Sequence, residues 1–96
     1  MLTAQNRALL KSIATNLKDL VFIGKEGLTD NVIKQINDNL FAHELIKIKV
    51  QKSIVDEISE LAKDIEQHCD AEIVCIIGSK ILVYKYSTKP KIKHLL

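Results

Sequence analysis

The chain has 96 residues, a length that suits one domain with a single modest hydrophobic core. Its composition, 47% hydrophobic and 27% charged, is that of a folded globular protein and argues against disorder. Its two cysteines, Cys69 and Cys75, form no framework of disulfides or metal ligands, so we expect neither a metal nor a cofactor. The apolar stretches are too short to span a bilayer and the N-terminus is interrupted by charges, so we expect no membrane association and a cytoplasmic location.

Charge is unevenly distributed along the chain, although the net charge is only +2. Residues 53–72 carry seven acidic side chains and one basic side chain, Lys63. The remaining 76 residues carry thirteen basic and five acidic side chains, and all but one of the basic residues in the chain are lysine. A basic surface of this kind favours an acidic partner such as nucleic acid, and lysine favours phosphate contacts over the reading of base edges.

The N-terminal part of the chain predicts a helix followed by a strand. Thr3 is a good N-cap for a helix over residues 3–15, on which Arg7 and Lys11 share an exposed face because they are four residues apart. Residues 20–23, LVFI, are rich in β-branched and aromatic side chains and predict a short buried strand.

The middle of the chain predicts a second helix and a second strand. Thr29 is the expected N-cap of this helix, which reaches about residue 43. Residues 45–50, LIKIKV, alternate between aliphatic side chains and lysines. This alternation predicts a strand that presents Lys47 and Lys49 on one solvated, basic face.

The C-terminal part predicts a third helix and a hairpin. We expect Ser53 to cap the helix, residues 71–77 to form a strand buried on both faces, and residues 81–86 to pair with that strand. Residues 87–96 carry three lysines and no acid, and we expect them to form a flexible basic tail.

The predicted elements follow the order αβαβαββ, with no internal repeat and no sign of a second domain. Crossovers through the second and third helices should make their strands parallel, and the final hairpin adds an antiparallel strand. We therefore predict an α/β fold for residues 1–96, a single compact domain with a four-stranded mixed sheet.

Aromatic side chains are few in this sequence. Phe22 and Phe41 lie in apolar patterns and are expected in the core. Tyr84 and Tyr86 share one face of the predicted last strand, where they either pack against the protein or stack on bases. The sequence leaves both alternatives open.

Two of the three glycines, Gly24 and Gly27, lie between the first strand and the second helix, with Lys25 and Glu26 between them. One interpretation is structural, because a tight turn with positive φ requires glycine. The other is that backbone N–H groups of the loop face a phosphate, supported by the helix N-terminus and by Lys25. The pattern is neither a P-loop nor a dinucleotide fingerprint, and it is similar to the G-x-x-G clamp of KH domains.

Four segments together resemble one known family. The opening LT…R…LK, the loop IGKEGLT, the strand HELIKIKV and the hairpin IIG…LVYK are similar to the CRM domain (chloroplast RNA splicing and ribosome maturation) in its stand-alone, YhbY-type form. The resemblance extends over nearly the whole chain, and the combination is much more specific than G-x-x-G alone.

The resemblance implies an αβαβαββ fold and a non-enzymatic RNA-binding factor in assembly of the large ribosomal subunit. Its partners would be ribosomal RNA or a large-subunit precursor. The acidic third helix, not the resemblance, suggests a basic ribosomal protein as a further contact. The RNA-binding residues carried onto this chain are Gly24, Lys25, Glu26, Gly27, Arg7, Lys11 and Lys85. The family commonly has Arg-Pro after the tyrosine of the last strand, so Lys85 keeps the charge there and loses the bidentate geometry.

Catalysis and protein docking are the functional alternatives to RNA binding by this loop. Catalysis is not expected, because no base–nucleophile pair can be drawn and Glu57, Glu60 and Asp64 are spaced as a solvated helix face. The alternative is a protein-docking assembly module whose acidic third helix binds a basic partner, with the glycines only a structural turn. A KH domain is the rival among RNA binders, but its G-x-x-G joins two helices, whereas LVFI predicts a strand.

Overall fold

The order of elements is the predicted one. In the computed structural model, residues 2–96 are described, and they form three α-helices, one 3₁₀ helix and four strands. The elements are α1 (Ala4–Ala14), β1 (Asp19–Ile23), α2 (Asp30–His43), β2 (Leu45–Val50), the 3₁₀ helix (Lys52–Glu57), α3 (Ile58–Cys69), β3 (Glu72–Ile77) and β4 (Lys80–Tyr84). Thr3 and Thr29 accept backbone hydrogen bonds at the starts of α1 and α2, which confirms both predicted caps.

The four strands form one mixed sheet in the order β1-β2-β4-β3. β1 and β2 are parallel, and β4 is antiparallel to both of its neighbours, β2 and β3. Ile23 therefore pairs with Val50 at one end of the sheet, which we call the loop end because the glycine loop follows there. Leu45 pairs with Tyr84 at the opposite end, which we call the far end.

Helices cover the two faces of the sheet unequally. α2 and α3 pack on one face over the main core, where Ile36, Ile48 and Ile65 are fully buried. α1 covers the other face through a smaller cluster that includes Leu10 and Leu82. This smaller cluster occupies the middle and the far end of the sheet, so the loop end of the α1 face is left open.

The prediction that the third strand is buried on both faces is wrong. β3 is an edge strand, and Ile76 and Ile77 at its C-terminal end are exposed. The reason is that β4 lies between β2 and β3 and takes the central, buried position. A continuous aliphatic run does not distinguish a central strand from an edge strand when the pairing is long-range.

Two predicted boundaries also shift. Ser53 does not cap α3, because it lies within the 3₁₀ helix that precedes the start of α3 at Ile58. The last strand ends at Tyr84 rather than at residue 86. Short 3₁₀ segments at helix N-termini are common, and an N-cap motif in the sequence does not identify them.

Residues 87–96 lie against the junction of α2 and β2. Glu44 at this junction is fully buried and has a positive φ of 67°. Its carboxylate accepts hydrogen bonds from the backbone N–H of Ser87 (2.9 Å) and of Leu95 (3.1 Å) and contacts Nδ1 of His94. The ring of Tyr86 stacks on His94, with centroids 4.4 Å apart. The flexibility of this segment stays a prediction.

Candidate nucleic-acid interface

The glycine loop forms a tight turn between β1 and α2. The N–H of Gly27 donates to the carbonyl oxygen of Gly24 at 2.9 Å, so Lys25 and Glu26 lie at the exposed tip. Gly27 has φ of +69°, a conformation that side chains with a Cβ rarely adopt. The geometry of the turn therefore requires glycine at position 27. This structural requirement is compatible with a binding role for the tip of the loop.

Gly24 is closely surrounded. A Cβ added to it would lie 3.3 Å from Oε1 of Gln51 and 3.5 Å from a ring carbon of Phe22. The backbone N–H of Gln51 also donates to the carbonyl oxygen of Ile23 at 2.9 Å, which fixes the end of β1 beside the end of β2. Gln51 thus lines the loop, although it was not among the predicted site residues.

The tip of the loop has unused hydrogen-bond donors. Within residues 2–96, the backbone N–H groups of Lys25, Glu26 and Leu28 donate no hydrogen bond. The turn opens onto a hollow of about 430 Å³, lined also by Thr29 and Asn31 at the start of α2. Free N–H groups beside a helix N-terminus favour an anion, so the hollow suits a phosphate group.

A row of four side chains crosses the sheet at the loop end, on the face that α1 leaves open. Phe22 pairs with Lys49, Lys49 pairs with Lys80, and Lys80 pairs with Ile77. Cross-strand partners point to the same face, so these side chains stand side by side, and we call them the loop-end row. Phe22 is 53% exposed and Ile77 is 51% exposed. The row combines two cations with apolar surface beside the glycine turn.

Lys11 lies next to this row, and its contact with RNA stays a prediction. It lines a hollow of about 160 Å³ together with Lys47, Ile77 and Lys80. The Nζ of Lys47 donates to the carbonyl oxygen of Leu17 at 3.0 Å, so this lysine is half-buried rather than free on a solvated face. Three lysines therefore concentrate positive charge at this point of the sheet.

Arg7 and Lys85 lie elsewhere. One guanidinium nitrogen of Arg7 donates to the carbonyl oxygens of Ile73 (2.7 Å) and Val74 (2.9 Å), at the irregular pairing of β3. The Nζ of Lys85 donates to the carbonyl oxygen of Cys69, the last residue of α3, at 2.9 Å. Lys85 follows β4 at the far end, and neither side chain adjoins the glycine turn. Their contact with RNA stays a prediction.

Phe22 and Phe41 are not core residues, so that prediction is wrong. Phe22 lies on an edge strand beyond the reach of α1, and Phe41 on α2 is 49% exposed. Of the two tyrosines left open by the sequence, Tyr84 is buried and Tyr86 is exposed.

Sequence reasoning missed Lys49 and Lys80 as site residues. The alternation in LIKIKV did signal that Lys49 points away from the core. The position of Lys80 depends on the pairing of β4 with β2, which only the fold supplies.

Within residues 2–96, no group of three or more histidine, cysteine or acidic side chains is placed to hold a metal ion. None of the helices formed by those residues is long and apolar enough to cross a membrane.

The fold and the loop define a small α/β domain with a G-x-x-G turn between a strand and a capped helix. Residues 2–85 match the family model described as the CRS1 / YhbY (CRM) domain, and the chain therefore belongs to this family. It is 35% identical over 91 residues to "Probable RNA-binding protein YqeI" of Bacillus subtilis, covering 95% of each chain. It is 32% identical over 92 residues to a protein of Haemophilus influenzae named "RNA-binding protein", covering 96% of this chain and 93% of the other.

A solved structure agrees with the fold. The solution structure of a hypothetical protein from Staphylococcus aureus is 40% identical to this chain, with a TM-score of 0.80 and coverage of 95% of each chain. At 40% identity, the two chains are similar in sequence as well as in general architecture. The similar fold supports the sheet order from which the loop-end row is built.

Proposed function

We propose that this protein binds RNA at the loop end of its sheet, as a non-enzymatic, cytoplasmic factor in assembly of the large ribosomal subunit. Membership of the CRM family and the names of the relatives support RNA binding. The observation that carries the proposal is that the free amides of the glycine turn adjoin the lysines of the loop-end row. The ribosomal role and the location rest on the family resemblance alone.

In the proposed mode of binding, the turn receives a phosphate group of the RNA backbone. The amides of Lys25, Glu26 and Leu28 donate to its oxygens, and the N-terminus of α2 adds partial positive charge. The ammonium groups of Lys25 and Lys49 neutralise this phosphate and its neighbours. Contacts of this kind position RNA without reading its sequence, so affinity should depend strongly on salt.

The loop-end row and Lys11 extend the same charged surface across the sheet. A backbone that passes from the turn over Lys49 and Lys80 toward Lys11 meets positive charge at each step. Lys80 also forms an ion pair with Asp19, with Nζ and Oδ1 3.2 Å apart, so part of its charge is already compensated. Arg7 and Lys85 have a supporting role in this arrangement, because each holds backbone carbonyls of the fold.

A second candidate function is docking of a basic protein on α3. Glu57, Glu60 and Asp64 are exposed on this helix or directly before it. α3 packs on the face of the sheet opposite to that of the loop-end row, so RNA on the row leaves these acids accessible. Reversal of charge at Glu57 and Glu60 is expected to abolish such docking while RNA affinity is unchanged or increased.

The test of RNA binding compares two double variants that lose the same charge. Lys49→Gln with Lys80→Gln removes two cations of the loop-end row, whereas Lys34→Gln with Lys63→Gln removes two exposed cations of α2 and α3. Fluorescence anisotropy with a short labelled single-stranded RNA is measured between about 50 and 200 mM salt.

We expect the row variant to lose affinity roughly fivefold to tenfold and to show a shallower salt dependence. The control variant should stay close to the wild type. Equal losses in the two variants would show that only net charge matters, and would contradict an RNA site at the row.

A further inference from the structure

Phe22 is an exposed aromatic side chain that the fold does not require at its position. Its neighbours on β1, Val21 and Ile23, point into the main core, and Phe22 points to the opposite face, beyond the area that α1 covers. Within residues 2–96, the only pair of stacked rings is Tyr86 with His94, so both faces of the Phe22 ring are free of aromatic partners. A single exposed apolar side chain is common on protein surfaces, so a role for Phe22 has to follow from its surroundings.

The surroundings of Phe22 indicate what it binds. One ring carbon lies 3.5 Å from the position that a Cβ of Gly24 would occupy, so the ring borders the glycine turn. Lys49 is its direct partner across the sheet, and Lys80 follows one strand further. An aromatic ring flanked by lysines and by a phosphate-binding turn is the arrangement of single-strand binding surfaces, in which bases stack on rings while cations hold the backbone.

We propose that Phe22 stacks on an unpaired base next to the phosphate held by the turn, so that the RNA is single-stranded at this point. The inference rests on the proposed function, because it assigns the base that accompanies the proposed phosphate. In a duplex the faces of the bases are covered by their neighbours, and Phe22 has no base to stack on. An apolar protein partner fits less well, because Lys49 stands beside the ring and would lose its hydration without an acid opposite.

The chain offers a matched pair of variants as a test. Phe22→Leu and Phe41→Leu make the same substitution at side chains that are 53% and 49% exposed, one beside the turn and one on α2. Phe22→Tyr keeps a ring at the first position. Each variant, the Gly27→Asp variant and the wild type are titrated with one RNA sequence, first as a single strand and then as a duplex. The single strand also carries 2-aminopurine, whose fluorescence is quenched when it stacks on a ring.

We expect the wild type to prefer the single strand and to quench 2-aminopurine. Phe22→Leu should lose about tenfold in affinity for the single strand, lose the quenching, and leave duplex affinity unchanged. Phe22→Tyr should restore both properties, and Phe41→Leu should behave as the wild type.

Two outcomes overturn the inference, and they differ in what they mean for the proposed function. If Phe22→Leu and Phe41→Leu are equal while Gly27→Asp loses affinity, the RNA is held by its backbone alone, and only the stacking is refuted. If the wild type binds neither RNA, the proposed function fails together with the stacking. Wild-type binding that is equally tight for single strand and duplex also contradicts the inference.

Discussion

The carboxylate of Glu44 holds the imidazole of His94, a residue fifty positions later in the chain. Glu44 ends α2, and the same carboxylate accepts the backbone N–H groups of Ser87 and Leu95. The buried acid thereby connects the α2–β2 junction to the C-terminal segment. Burial raises the pKa of Glu44, but the hydrogen bonds from Ser87, His94 and Leu95 outweigh it and lower the pKa below the ordinary value of 4.5.

Glu44→Gln should destabilise the fold. The variant loses the charge that accepts three contacts, and its amide NH₂ group faces a backbone N–H that is itself a donor. We expect the free energy of unfolding to fall by about 2 kcal/mol, since hydrogen bonds to charged groups contribute about this much. Urea denaturation measures the change, with exposed Glu66→Gln on α3 as the control. A loss in Glu44→Gln no larger than in Glu66→Gln would refute the role of Glu44.

Stability should also fall in acid, and part of the fall should come from Glu44. A carboxyl group whose pKa is lower in the folded state adds stability above the ordinary value of 4.5, and this stability is lost as the pH falls through the folded pKa. Glu72, whose pKa is lowered chiefly by the N–H of Leu2, acts in the same direction. Urea denaturation at about pH 6 and about pH 3 should therefore show a smaller pH effect in Glu44→Gln than in the wild type. An equal pH effect in both would show that Glu44 does not titrate as inferred.

Removal of the acid at the tip of the glycine turn should strengthen RNA binding. Glu26 is exposed beside the proposed phosphate position and repels it. Glu26→Gln is expected to raise affinity about two- to threefold, the effect of one screened surface charge. Anisotropy titrations compare it with Glu66→Gln, which changes net charge equally at a distance. Weaker binding by Glu26→Gln would instead show that the carboxylate accepts a hydrogen bond from the RNA.

Lys85→Met should affect the fold more than RNA binding. The ammonium group donates to the carbonyl oxygen of Cys69 at the end of α3, where a cation also interacts favourably with the helix dipole. Its loss should lower the free energy of unfolding by about 1 kcal/mol, as measured by urea denaturation. RNA affinity should change by less than about threefold, which is the effect of one distant charge. A large loss of affinity with unchanged stability would place Lys85 in the RNA site.

Local patterns in the sequence predicted those features of the fold that depend on residues close together in the chain. The caps at Thr3 and Thr29, the alternation of LIKIKV and the order of the elements all depend on residues a few positions apart. The position of the glycine turn between β1 and α2 follows from the same local reasoning.

The features of the fold that the sequence did not reveal depend on contacts between distant parts of the chain. The insertion of β4 between β2 and β3 decides that Ile77 lies on an edge strand and that Lys80 stands beside Lys49. The exposure of Phe22 depends on how far α1 extends over the sheet. The residues next to Phe22 in the sequence do not encode this extent. The contact of Glu44 with His94 joins residues fifty apart, and HELIKIKV by itself gives no signal of it.

The most direct test of the glycine turn as a phosphate site is the RNA affinity of Gly27→Asp compared with Gln67→Glu. Both variants add one negative charge, the first at the turn and the second at an exposed position on α3. Aspartate tolerates positive φ better than most residues, and circular dichroism establishes that each variant is folded. We predict that Gly27→Asp loses at least about tenfold in affinity while Gln67→Glu stays within about twofold of the wild type. Equal affinities of two folded variants would contradict the account and leave the glycines as a structural turn.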